Sequence, residues 1–457
     1  MSSRAELRSL YIKVLPSTAI MEARSRTPPD RLFPCFPELR KLPSELRSAE
    51  IDLAAMTFGF ILIDALSALA VFGVTTSTVY SLMVAVGVLR FRRRAAAAGT
   101  RRFQPPVSVL KPLHGGEPNL EENLASFFQQ DYPEYEILFC ARKSDDPGLE
   151  TARRVAARFP RVPARILVCG EPPWPNARTY SLEIMRRAAR FPILVATDSD
   201  VRVAPDYLAS VVEPLSDPRV GMVTCLYRGV ARRGLWAQLE AMGMSVEMTS
   251  GVLVAEMVEG MRFALGPSMV MRQSTIEKIG GFEPVAQFFA DDFVLGNRTA
   301  KAGENVVLSS CIVEHHAVNA SFTSVVAHQQ GWATSTRFSR PLGHLGSVLT
   351  YAVPYGLLGL AVLGAAGHAA LGALLLAITL LDRVLLCLLV AGCVVRDRPA
   401  LRKAWLYPVR DIMGFCFWLR SYFGSRRLSY RGDPCELLPK GRMRKLSEEP
   451  KETAMIR

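Results

Sequence analysis

Phe191-Pro192-Ile193-Leu194-Val195-Ala196-Thr197-Asp198-Ser199-Asp200 runs from an apolar tetrapeptide straight into two carboxylates. Ile193–Ala196 is short, β-prone and apolar on both faces, the pattern of a central strand in a parallel sheet. Open α/β sheets bind their ligands beyond the carboxyl ends of such strands. An Asp-x-Asp there can hold a divalent cation, Mg²⁺ or Mn²⁺, through oxygen, and the cation can hold a diphosphate. Asp and Ser also make ordinary polar turns, so these three residues leave both readings open. The rest of the chain has to decide.

The chain has 457 residues and a formal net charge of +13. No charged residue occurs from Ala65 to Leu89, which exceeds the ~20 residues that cross a bilayer. Arg90, Arg92, Arg93, Arg94, Arg101 and Arg102 follow at once. That pattern predicts a retained anchor rather than a cleaved leader, with everything after Leu89 on the cytoplasmic side, at the inner membrane in a bacterium. Further basic clusters at Arg337–Arg340, Arg396–Lys403 and Arg426–Arg431 also flank apolar segments. The charge therefore points to a lipid bilayer and excludes nucleic acid as the partner. Nine scattered cysteines without a Cys-x-x-Cys pair argue against a structural zinc site. His315 and His316 are adjacent, so on a strand they face opposite sides, and joint metal ligation is not expected.

Five regions emerge. Residues 1–50 form a basic, proline-bearing, poorly ordered extension and 51–90 an N-terminal membrane anchor. Residues 100–340 form a cytoplasmic α/β domain, 341–425 C-terminal membrane helices, and 426–457 a basic tail. Within the α/β domain strands are expected at Val107–Leu110, Tyr135–Ala141, Ala164–Val168, Ile193–Ala196 and Val220–Leu226. Helices are expected at Asn119–Phe128 with an Asn cap, Leu149–Arg158, Arg178–Ala189 and Leu235–Met248. Met242, Met244 and Met248 with Leu239 and Val246 read either as core or as an acceptor groove. Asp382-Arg383 interrupts an apolar segment, which requires protein or water around it. Leu406–Phe423, with Arg410, Asp411 and Arg420, reads as interfacial or re-entrant.

Several ordered motifs carry a resemblance. Lys111-Pro112-Leu113-x-Gly115 is followed by Asn119-Leu120, Asn123-Leu124, Phe127-Phe128 and Asp131-Tyr132-Pro133. Then come Asp145-Asp146-Pro147, Asp198-Ser199-Asp200, Gly266-x-Ser268-Met269, Gly280-Gly281-Phe282 and Ala290-Asp291-Asp292. Across residues 105–340, and more weakly at Arg410-Asp411 and Tyr430-Arg431-Gly432, the chain resembles the ceramide glucosyltransferase type of glycosyltransferase, family 21, close to family 2. Bacterial hopanoid glycosyltransferases are relatives too.

The resemblance implies a GT-A-type, mostly parallel sheet that binds a nucleotide sugar. It also implies inverting transfer of a hexose, glucose first, from a UDP-sugar to a membrane lipid hydroxyl. Asp145 would meet the uridine, and Asp198 with Asp200 would hold the cation. Asp292, beside Asp291, would take the acceptor proton, and the cation Arg178 would face the donor. His328 and Trp332 fall on a Gln/Arg-x-x-Arg-Trp clamp in which Gly331 replaces the arginine. The alternatives are a hopanoid N-acetylglucosaminyltransferase, a processive polysaccharide synthase and a membrane scaffold without turnover.

Overall fold

A computed structural model describes residues 44–97, 102–231, 233–317 and 321–446. Most of the expected N-terminal extension and the last residues of the expected tail lie outside them. Two compact units divide the chain, Met1–Ala65 and Leu66–Arg457. The described part of the first is helical and opens α1 (Ser44–Ala97).

The second unit carries the sheet. Its strands are β1 (Val107–Pro112), β2 (Tyr135–Ala141), β3 (Ala164–Val168), β4 (Ile193–Ala196), β5 (Val201–Arg202), β6 (Val220–Ala231), β7 (Met269–Arg272) and β8 (Asn305–Ala317). Between them lie α2 (Leu120–Phe128), α3 (Pro147–Arg158), α4 (Ala177–Ala188), α5 (Tyr207–Val212), α6 (Leu235–Met242), α7 (Thr249–Glu259), α8 (Gln273–Lys278) and α9 (Asp291–Lys301). After β8 come α10 (Phe322–Ser339), α11 (Pro341–Gly346), α12 (Val353–Ala365), α13 (Ala369–Cys393), α14 (Arg398–Arg402) and α15 (Tyr407–Phe423).

The sheet order is β3-β2-β1-β4-β7-β6-β8-β5. β3, β2, β1 and β4 are parallel, and every residue of β1, β2 and β4 is buried, as their mostly apolar sequences require. β7 pairs antiparallel with β4, setting Met269 opposite Ala196. The loop entering β7 therefore meets the loop leaving β4, and this one register brings Gly266 to Asp198. β8 runs parallel to β6 and antiparallel to β5, which sets His315 opposite Val201. Asp146, followed by Pro147 at the first helical position, caps α3 by accepting from Gly148 N at 2.8 Å.

Several expectations change. Asn119 does not cap α2; it is left-handed (φ 60°) and its amide faces His316 Nδ1 at 3.4 Å. The methionine-rich helix continues through a π-helical turn, Gly243–Met248, into α7. Met242, Met244, Leu239 and Val246 are buried core there, and Met248 is half-buried. The basic tail folds in part: β9 (Arg427–Tyr430), β10 (Asp433–Leu437) and β11 (Met443–Lys445) make a three-stranded antiparallel sheet.

Among the described residues three helices are long and apolar enough to cross a membrane, Met56–Ala97, Leu235–Glu259 and Ala369–Cys393. The pair Pro341–Thr350 and Val353–Ala365, bent by 55°, makes a fourth if taken as one span. α12 and α13 approach closely: a Cβ on Gly372 would lie 2.8 Å from Leu360 Cα. α15 is packed inward, with Arg410 and Asp411 buried. Arg383 is only 2% exposed, and its guanidinium donates to Asp382, Ser81 Oγ at 2.7 Å, and the Thr350 carbonyl at 3.0 Å, with Asp411 at 3.4 Å. It thereby joins α1, α13 and α15. Arg383→Met would leave two carboxylates without their cation, and we expect a loss of about 3–5 kcal/mol. Thermal unfolding of the detergent-solubilised protein reads this, and adding Asp411→Asn should restore part of the loss.

Candidate active site

The carboxyl ends of β1 and β4, the loop before β7 and the first turn of α9 meet at one rim. Asn176 caps α4 by accepting from Thr179 N at 3.1 Å, which aims Arg178 in the first turn at that rim. The Arg178 guanidinium is buried and fully engaged. Nε donates to Asp198 Oδ1 at 2.6 Å, Nη1 to Asp291 Oδ2, and Nη2 to the Gly266 carbonyl at 2.9 Å. Gly266 N donates to Asp292 Oδ2 at 2.6 Å. A Cβ on Gly266 would stand 3.2 Å from Asp292 Oδ2 and 3.5 Å from Asp198 Oδ2, so a bare backbone is what lets these carboxylates share one space.

Charge at this rim is unevenly compensated. Lys111 is fully buried beneath it, its ammonium donating to the Asp198 carbonyl at 2.5 Å over the Phe127 ring, and burial pulls its pKa down to about 7. Asp291 has the arginine. Asp292 has only backbone donors, Gly266 N and Phe293 N at 2.8 Å. Burial first, then the neighbouring Asp291, push the Asp292 carboxyl up to about 6. Two adjacent, chemically identical residues are thus set apart, one a bound counter-ion and the other a carboxyl raised toward neutrality.

Asp200 Oδ2 lies 2.8 Å from His315 Nε2, delivered by β8. The pairing of His315 with Asp200 could not be read from the sequence, because its partner strand, β5, has two residues and no periodicity. Asp200 Oδ1 is buried without a partner. Among the described residues no cluster of three or more His, Cys, Asp or Glu side chains could hold a metal by itself. A divalent cation held by one or two carboxylates plus substrate phosphates needs no such cluster, and the orphaned Asp200 oxygen fits that role.

The other expected residues lie around this centre. Asp145, after β2, is exposed, while the capping role belongs to Asp146. The His328 ring packs 4.4 Å from Trp332 and its Nδ1 meets buried Glu240 at 2.6 Å. Trp332 in turn stands 6.5 Å from His315. Gly331 faces open space, and a Cβ there would meet nothing within 4 Å. The nearby arginines do not fill that gap: Arg337 donates to the Ser421 carbonyl and Arg340 pairs with Glu259 at 2.6 Å.

Carboxylates and cations gathered at the strand ends of an α/β sheet, with one carboxyl raised toward neutrality, suit group transfer. Residues 68–443 match Glycosyl transferase family 21, and the chain belongs to that family. It is 29% identical over 207 residues to ceramide glucosyltransferase 1 of Caenorhabditis elegans, covering 45% of this chain and 44% of that protein. It is 30% identical over 158 residues to the ceramide glucosyltransferase of Komagataella phaffii, covering 33% and 31%. The alignments thus span less than half the length of these relatives. Among solved structures it is similar to a mannosyltransferase from Pyrobaculum calidifontis in complex with GDP-Man and Mn²⁺, at 20% identity and TM-score 0.42, over 76% of this chain and 99% of that one.

A base with a pKa near 6 must be charged to accept a proton, so protonation below that pH removes it. We expect kcat/KM for sugar transfer to fall about tenfold per pH unit below about 6. A pH–rate profile on membranes checks this; an acid limb near 4 would show Asp292 unperturbed.

Proposed function

We propose that this protein moves a hexose, glucose in the first instance, from a UDP-sugar to the hydroxyl of a membrane lipid of ceramide type, with inversion. The observation that carries the reading is Asp292, with no ion-pair partner among the described residues, facing Asp198 across Gly266. Asp292 accepts the proton of the lipid hydroxyl as that oxygen attacks the anomeric carbon. Arg178 keeps Asp198 and Asp291 in register, and Lys111 fixes the Asp198 backbone from below. Asp145, unengaged at the end of β2, is available to the uridine ribose or base. A divalent cation at Asp198 and Asp200 would neutralise charge on the departing diphosphate. His328 and Trp332 border the same space from α10. The apolar helices hold the protein in the bilayer, and the arginine block after Leu89 orients the sheet to the cytoplasm.

Membranes bearing the protein, given labelled UDP-glucose, UDP-galactose or UDP-N-acetylglucosamine, test this. Label in a chloroform-extractable sphingolipid supports it. Label in a hopanoid redirects the acceptor, label in insoluble polymer supports a synthase, and no turnover of any donor supports a scaffold. Asp292→Asn should lower kcat by about 10²–10⁴-fold while UDP binding persists. Asp198→Asn should instead weaken metal-dependent UDP binding; parental activity in either variant would refute its assigned role.

A further inference from the structure

The C-terminal sheet is tied to the catalytic unit just ahead of Asp291. Met443 N donates to the Gln287 carbonyl at 2.7 Å, and Phe289 N to the Gly441 carbonyl at 3.1 Å. Tyr430 Oη donates to Asn176 Oδ1, the α4 cap, at 3.2 Å, and Asp433 takes both Arg142 amines, at 3.1 and 2.6 Å. Tyr430 pairs with Asp433, so Arg431 and Gly432 form a two-residue hairpin loop. Both are left-handed, with φ of 49° and 83°, the arrangement of a type I′ turn. Such a turn favours Asn, Asp or Gly at its first central position. Arginine there holds a strained backbone, and strain of this kind collects at functional sites.

The tip points at the nucleotide end of the rim. A Cβ on Gly432 would lie 3.6 Å from His114 Nε2, just beyond β1. Arg431 borders a crevice shared with Leu113, His114, Arg142, Cys169 and Ala177, at the carboxyl ends of β1 to β3 and the start of α4, with only about 10 Å³ open. Burial and then the Arg431 charge oppose protonation of His114. The other cations here are engaged. Arg178 holds Asp198 and Asp291, Arg142 holds Asp433, Lys111 is buried on a carbonyl, and Arg337 and Arg340 face away. Among the described residues Arg431 has no ion-pair partner.

We propose that Arg431, on the β9–β10 tip, is the cation that binds the donor's diphosphate, supplying the charge that Gly331 does not. This rests on the reading of the site as one for a nucleotide sugar. The guanidinium would pair with phosphate oxygens as the hairpin seats over the bound nucleotide. A cation 100 residues further along the chain than Gly331 thus serves the same rim from the opposite side.

Arg431→Asn separates this role from a structural one, because Asn suits the left-handed turn. In the full-length protein we expect its melting temperature to equal or exceed the parent's, UDP affinity to fall about 10- to 100-fold, and uridine affinity to stay unchanged. Arg431→Lys should recover part of the UDP affinity. UDP binding in Arg431→Asn equal to the parent's would overturn the inference and leave the proposed reaction standing. A parent that binds no UDP would overturn both.

Discussion

The Arg178 guanidinium bridges Asp198, leaving β4, and Asp291, opening α9, while donating to the Gly266 carbonyl that lies between them. Without it the Asp198, Asp291 and Asp292 carboxylates would face one another with no cation hydrogen-bonded to them among the described residues, since Lys111 reaches only the Asp198 carbonyl. Their repulsion, strong at low dielectric, would drive the loops apart. A buried ion pair of this kind adds little net stability over an apolar substitute, since desolvation offsets attraction. Its value is positional: it sets the spacing at which other carboxylates can share a ligand.

That same arrangement sets two neighbouring aspartates apart electrostatically. Asp291 is held by the arginine, so its charge is compensated and it is engaged. Asp292 receives only peptide N–H groups, and its proton affinity rises toward neutrality. Hydrogen bonds from Gly266 and Phe293 favour the carboxylate, while burial and Asp291 oppose it. The balance leaves a group that is charged at neutral pH yet able to take a proton.

The four parallel strands could be read from sequence because each is a compact apolar run closed by polar or turn residues. Strands buried on both faces, such as β1, β2 and β4, leave that signature without help from their neighbours. β7 and β8 leave none. β7 is apolar only over Met269–Met271 before Arg272, and β8 mixes buried and exposed positions through Ser309 and Ser310. Hidden with β8 was His315, whose meaning depends on a register opposite Val201. Asp198 and Asp200 stood out as carboxylates directly after an apolar strand, whereas Asp292 was marked only by the family resemblance. The division of labour between Asp291 and Asp292 did not stand out, because it arises from Arg178, which is far away in sequence. The hairpin at 427–445 looked like a basic tail because its strands are short and polar. Its backbone pairing with residues 287–289 is a tertiary fact.

On the proposed reaction, Asp292 must lie between donor and acceptor, since inversion requires attack from the side opposite the leaving group. The surroundings of its next residue agree with that demand. Phe293 stacks on Phe263 at 6.1 Å, and Arg340 covers both rings at 5.8 and 5.9 Å while pairing with Glu259. Glu259 ends α7, so this aromatic step is the exit of an apolar helix. Val258, Leu342 and Leu345 nearby are exposed, an apolar rim with no use in water. A lipid lying along these side chains would bring its hydroxyl to Asp292 from the helix side. The β1, β2 and hairpin crevice lies toward the sheet, so the two substrates would meet across Gly266, where any side chain would stand between them.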